Sequence, residues 1–86
     1  MSIRVRVRGT VNDRHMDGII FGGPQDTVDA VKWAAQNTWN AKKGTYSFVV
    51  RTPSGALVKV DKDTALDSLP ILTDGMIHFI PVGNGT

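Results

Sequence analysis

The sequence predicts an α+β domain in which four to five strands form a mixed sheet packed on one α-helix. Three observations support this prediction. Residues 3–8 alternate apolar and cationic side chains, as a half-buried strand does. The segment Pro24–Lys32 combines a proline, two polar capping candidates and valines three positions apart, which is typical of a helix start. Strand-like runs lie on both sides of this helix, so the order is strand, strand, helix and then strands.

The first two strands are predicted at Ile3–Arg8 and His15–Phe21. Asn12-Asp13 is the expected reversal between them, because both residue types favour turns. Gly18 lies inside the second strand and indicates a bulge, since glycine weakens a regular strand.

The predicted helix begins after Asp26 or Thr27, either of which can cap it. Its core face carries Val28, Val31, Ala35 and Thr38 or Trp39. At 100° per residue Trp33 lies about 140° from Val28, so we expect its side chain to point sideways or outward. The helix should end near Asn40, where Lys42, Lys43 and Gly44 are typical of a C-terminus.

The remaining elements are a strand at Tyr46–Arg51, a turn at Pro53-Ser54-Gly55 and a short strand at Ala56–Val60. A single helical turn at Thr64–Leu69 and a last strand at Met76–Val82 follow. We therefore expect one domain over residues 1–82 and a flexible tail over residues 83–86.

Composition narrows the function classes. The chain has 86 residues, a net charge of +2 and no cysteine, which excludes disulfides, thiol catalysis and thiolate metal sites. No apolar run reaches the roughly 20 residues of a membrane helix, and the N-terminus lacks the apolar stretch of a signal peptide. We expect a soluble cytoplasmic protein that does not bind a membrane.

Two segments resemble ubiquitin-like proteins of the β-grasp fold. The helix entry Asp26–Lys32 is similar to the ubiquitin helix start in its capping residues and apolar spacing. Thr64–Leu69 followed by Asp74–Phe79 looks like the short turn and last strand of the family. The resemblance implies that the first and last strands are neighbours. It also implies a domain that works through a surface or a C-terminal tail and has no catalytic pocket.

The ending Ile77–Gly83 also looks like the close of the ubiquitin-like domain in lambda-type phage tail assembly protein I. Ubiquitin and the sulfur carriers end in two adjacent glycines, whereas this sequence ends Gly83-Asn84-Gly85-Thr86. Asn84 separates the glycines, and this favours an interaction or assembly module over a modifier or sulfur carrier activated at its C-terminus. The carrier remains the alternative.

The sequence contains no recognisable catalytic or cofactor motif, and we predict a non-enzymatic protein without a cofactor. His15 and His78 lie on different predicted strands, with no Cys or Glu in the chain to complete a metal site. Gly22-Gly23-Pro24 before the helix could cradle a phosphate, but it lacks the Lys-Ser/Thr ending of a P-loop.

Alternation of the strands predicts a cationic surface on the face of the sheet that the helix leaves open. If Ile3, Val5 and Val7 face the helix, the three arginines between and after them face away. The same logic applied to the third and last strands completes the set, which comprises Arg4, Arg6, Arg8, Val49, Arg51, His78 and Ile80.

This surface suits a protein partner with an acidic or mixed surface. A solvated face without a partner is the alternative, since charged side chains also keep a sheet soluble. A weak nucleic-acid-binding role ranks below protein binding, because no aromatic residue is interleaved with the arginines for base stacking. Trp33 is a second candidate for partner binding, since exposed tryptophan is enriched at interfaces; packing against a loop or strand end is its alternative.

Overall fold

The computed structural model describes residues 2–11, 13–40, 46–70 and 75–83. Its elements are β1 (Ile3–Val11), β2 (Arg14–Gly22), α1 (Val28–Trp39), β3 (Tyr46–Arg51), β4 (Leu57–Lys59), a 3₁₀ helix (Leu66–Ser68) and β5 (Met76–Gly83). No helix among the described residues is long and apolar enough to cross a membrane.

The strands form one mixed sheet in the order β2-β1-β5-β3-β4. Strands β1 and β5 are parallel neighbours, and the other pairs are antiparallel. Helix α1 packs on one face of this sheet. The predicted α+β architecture with one helix on a mixed sheet, including the pairing of the first and last strands, is confirmed.

The core lies between α1 and the sheet. Val31 and Ala35 of the helix are buried, as are Val5, Phe48 and Phe79 of the sheet. The rings of Phe48 and Phe79 lie 4.9 Å apart between centroids, within the range of favourable aromatic pairs. Of the two residues proposed for the last turn of the core face, Trp39 packs against the core, whereas Thr38 is exposed.

Both ends of helix α1 are capped by side-chain or backbone geometry. Thr27 is the N-cap, and its hydroxyl oxygen accepts a hydrogen bond from the Ala30 N–H at 3.3 Å. Asn40 ends the helix in the left-handed conformation at φ 57°, and its N–H bonds the Gln36 carbonyl. The predicted contributions of Lys42, Lys43 and Gly44 lie outside the described residues.

A loop of residues 61–67 lies against the N-terminal end of α1. The Val28 and Asp29 N–H groups donate to the carbonyls of Thr64 and Lys62, and the Leu66 N–H donates to Asp26. This contact gathers five acids near the helix N-terminus, where the helix dipole favours negative charge. They are Asp26, Asp29, Asp61, Asp63 and Asp67.

Two expectations about the first hairpin were wrong. Strand β1 continues through Gly9 and Thr10 to Val11, because these residues pair with Met16, His15 and Arg14 of β2. A Cβ at Gly9 would be 2.9 Å from Pro81 Cδ of β5, so glycine gives Pro81 room there. The predicted bulge at Gly18 is absent, since the β1–β2 register runs unbroken from Ile3–Gly22 to Val11–Arg14. Gly18 instead gives room for the Trp39 ring.

Candidate functional site

The face of the sheet opposite α1 carries the predicted cationic surface, which we call the open face. In β1 the side chains of Val5 and Val7 are buried, whereas Arg4 and Arg6 are half-buried and Arg8 is exposed. The alternation of β1 therefore places its three arginines on the side away from the helix, as predicted.

Strand register brings the other predicted residues of this face together. Arg4 pairs with Met76 and Arg6 with His78 across β1 and β5. Val49 pairs with Ile80 across β3 and β5. All seven residues predicted for this surface thus lie on three adjacent strands of one face.

A concavity of about 280 Å³ lies in the middle of the open face. Its lining residues are Arg6, Arg8, Arg51, His78, Phe79 and Ile80. Phe79 itself points into the core, so the charged and polar lining comes from three guanidinium groups and one imidazole.

One acid of the described residues, Asp17, also lies on this face. The Arg6 Nη2 atom is 3.3 Å from the Asp17 carboxylate, and both side chains are more than a third exposed. An exposed ion pair of this kind contributes only about 0–1 kcal/mol. Within the described part of the chain, the side chains of Arg8, Arg51 and His78 form no hydrogen bond or ion pair. Their donors therefore remain available to a ligand.

Sequence reasoning missed the contribution of the outer strands. In β2, Ile19 and Phe21 are 47% and 66% exposed and stand opposite Arg6 and Arg4. In β4, Leu57 is 57% exposed and pairs with Arg51. The turn predicted at Asn12-Asp13 determines which residues of β1 and β2 pair. Assigning the faces of β2 from that predicted turn would therefore have placed Ile19 and Phe21 on the open face.

Trp33 does not belong to the open face. It lies on α1, on the other side of the sheet, and is 42% exposed, in agreement with its predicted outward direction. Its role in partner binding is therefore independent of the arginine surface and stays a prediction.

The loop before α1 is already occupied by a carboxylate of the chain itself. The Gly23 N–H donates to the Asp26 carboxylate at 2.7 Å. A phosphate in this loop would lose that donor and face the Asp26 charge. We therefore set aside the phosphate cradle at Gly22-Gly23-Pro24.

Comparisons with known proteins identify the fold. No protein-family profile matches the sequence. No curated protein matches it either. Among solved structures, the chain is similar to the ubiquitin of Caldiarchaeum subterraneum, with a TM-score of 0.66 and 16% identity over 100% of both chains. Together with the five-stranded mixed sheet and its single helix, this likeness shows that the chain has the ubiquitin-like β-grasp fold.

Proposed function

We propose that the chain is a non-enzymatic ubiquitin-like module that binds a protein partner with an acidic or mixed surface through the open face. The observation that carries the proposal is the uneven distribution of charge over the molecule. In the described part of the chain, the open face has five cations, Arg4, Arg6, Arg8, Arg51 and Lys59, and one acid, Asp17. The five cations and one acid give this face a formal charge of +4, and the three cations and six acids among the other described residues give −3.

The apolar residues of the open face also support a protein partner. Ile80 and Val49 form a half-buried centre beside the concavity, and Ile19, Phe21 and Leu57 are exposed around it. Interfaces typically combine apolar side chains with arginine in this way. Exposed phenylalanine and leucine beside several arginines are therefore more typical of an interface than of a merely solvated face.

A charge-reversal experiment tests the proposal. Arg8→Glu with Arg51→Glu should leave the fold intact, since both side chains are exposed, and should abolish capture of the partner by affinity purification from the cells that express the protein. Arg14→Glu with Lys62→Glu is the matched control, because it makes the same charge change away from the open face. Unchanged recovery of the same partners with the Arg8 and Arg51 variant would refute the role of this face.

The cellular process in which we place this module is phage particle assembly, on the strength of the Ile77–Gly83 resemblance. The neighbouring genes provide the test. Genes for tail or capsid proteins beside this one would support assembly, and a gene for an adenylating enzyme would instead support a carrier.

The alternative is a modifier or sulfur carrier, which the likeness to an archaeal ubiquitin structure favours. Mass spectrometry of the protein purified from its own cells distinguishes the two. A C-terminal adduct or thiocarboxylate would support the carrier, and an unmodified chain that still captures partners through the open face would support the interaction module.

A further inference from the structure

Three strands place a row of cationic groups across the concavity. Arg6 pairs with His78, and the β3–β5 register places Arg51 beside His78 at the position after Val50–Phe79. Arg8 lies two residues beyond Arg6 on the same strand, and all four side chains line the concavity of about 280 Å³.

The charge of this row matches a dianion better than a single carboxylate. Arg6, Arg8 and Arg51 supply three positive charges, and Asp17 removes one. The His78 imidazole adds a further hydrogen-bond donor beside the arginines. A phosphorylated side chain carries about −1.5 to −2 charges at neutral pH. Guanidinium groups also bind phosphate through paired hydrogen bonds, which makes arginine the preferred residue for this anion.

Both ends of the row are apolar. Ile19 of β2 pairs with Arg6, and Leu57 of β4 pairs with Arg51. Each lies two strands away from His78, which is about 10 Å at the usual strand spacing. An extended peptide advances about 3.3 Å per residue, so its third residue on either side of a central anion would reach Ile19 or Leu57.

We propose that the concavity binds a phosphorylated serine or threonine in an extended segment of the partner, with apolar residues three positions before and after it. The proposal rests on the interaction function above and names the chemistry of the partner. Nucleic acid would supply phosphate as well, but both ends of this row are aliphatic, and the exposed aromatic residue Phe21 lies outside the row, opposite Arg4, so the row itself offers no aromatic platform for bases.

The probe is a nonapeptide with phosphoserine at its centre, leucine three positions to each side, and glycine or serine elsewhere. Its binding is followed by NMR titration of the ¹⁵N-labelled full chain. We expect it to bind about tenfold or more tightly than the unphosphorylated peptide, because charged hydrogen bonds replace neutral ones. The largest shifts should occur at Arg6, Arg51 and His78, and replacing both leucines with serine should weaken binding.

Variants of the protein test the proposal in both directions, and one pair of substitutions is a control with the same change in net charge. Arg8→Gln with Arg51→Gln should remove the preference for the phosphorylated peptide. Arg14→Gln with Lys62→Gln should keep it, although the net charge changes equally. Asp17→Asn should tighten phosphopeptide binding, because it removes the carboxylate that pairs with Arg6.

Equal affinity for the phosphorylated and unphosphorylated peptides would overturn the proposal. So would equally tight binding of inorganic phosphate, which would show that the peptide contributes nothing. Tighter binding of a nine-nucleotide oligothymidylate would overturn it and assign the face to nucleic acid. Either of the first two results would leave the interaction function standing if charge reversal at Arg8 and Arg51 still abolished capture of a protein partner.

Discussion

The contact between Gly18 and Trp39 can be used to test how α1 packs against the sheet. Trp39 is the last residue of α1, and its ring lies over the backbone of Gly18 in β2. A Cβ atom at position 18 would come within 2.8 Å of Trp39 Cζ2, whereas ordinary contacts begin at 3.4 Å. Gly18→Ala therefore forces the ring or the strand to move.

Two opposing terms set the size of the effect. Overpacking a well-filled site costs about 1–3 kcal/mol. Replacing glycine by alanine in an extended backbone gains about 0.4–1 kcal/mol by restricting the unfolded chain. We therefore expect Gly18→Ala to lower the free energy of unfolding by about 1–2 kcal/mol in the native sequence. In a Trp39→Leu background, where the large ring is absent, the same change should be neutral or slightly stabilising.

Urea unfolding followed by far-UV circular dichroism measures all four corners of this double-mutant cycle, independently of tryptophan fluorescence. We expect a coupling free energy of about 1–3 kcal/mol between positions 18 and 39. Gly23→Ala is the control, since a Cβ there meets its nearest atom at 3.6 Å. If Gly18→Ala costs the same with Trp39 and with Leu at that position, the ring contact is not the cause.

Three further predictions concern the core, the helix cap and alkaline stability. Phe79→Ala, at a fully buried position, should cost about 3–5 kcal/mol of a total stability of about 5–15 kcal/mol, seen as a large fall in the urea midpoint; an unchanged midpoint would contradict the assigned core. Thr27→Ala should cost about 1 kcal/mol in the same assay, whereas Thr27→Ser should restore most of it. Burial raises the pKa of Tyr46 above 10.0, so the unfolded chain loses its phenolic proton first, and stability should fall as the pH rises from about 10 towards the folded-state pKa. Tyr46→Phe should flatten this decline between pH 8 and 11, although it also removes the hydrogen bond to the Lys32 carbonyl; an equally steep decline would assign the effect to another group.

Local pattern was enough to predict most of the fold. The alternation in β1, the Thr27 cap and the Asn40 end of α1 depend on residues close together in the sequence. These local preferences appear unchanged in the folded protein because the tertiary contacts favour the same conformations. The open face followed from the same alternation once the first and last strands were taken as neighbours.

The failures arose where distant residues decide the local structure. Gly9 and Thr10 are residue types that favour turns, but β1 continues through them because they pair with Met16 and His15 of β2. Glycine inside a strand is typical of a bulge, but glycine stands at position 18 because the Trp39 ring leaves no room for a Cβ there. The exposed Ile19, Phe21 and Leu57 were missed because their faces depend on register across the sheet, which a single strand does not reveal.

The basic sheet face and the five acids around the helix start separate opposite charges between two parts of the molecule. If the partner is acidic, as we propose, this separation of charge would orient the two proteins before they touch and would raise the share of collisions in a productive orientation. Added salt should then lower the association rate constant much more than it raises the dissociation rate constant. The reason is that screening over a Debye length of about 10 Å weakens the long-range field first.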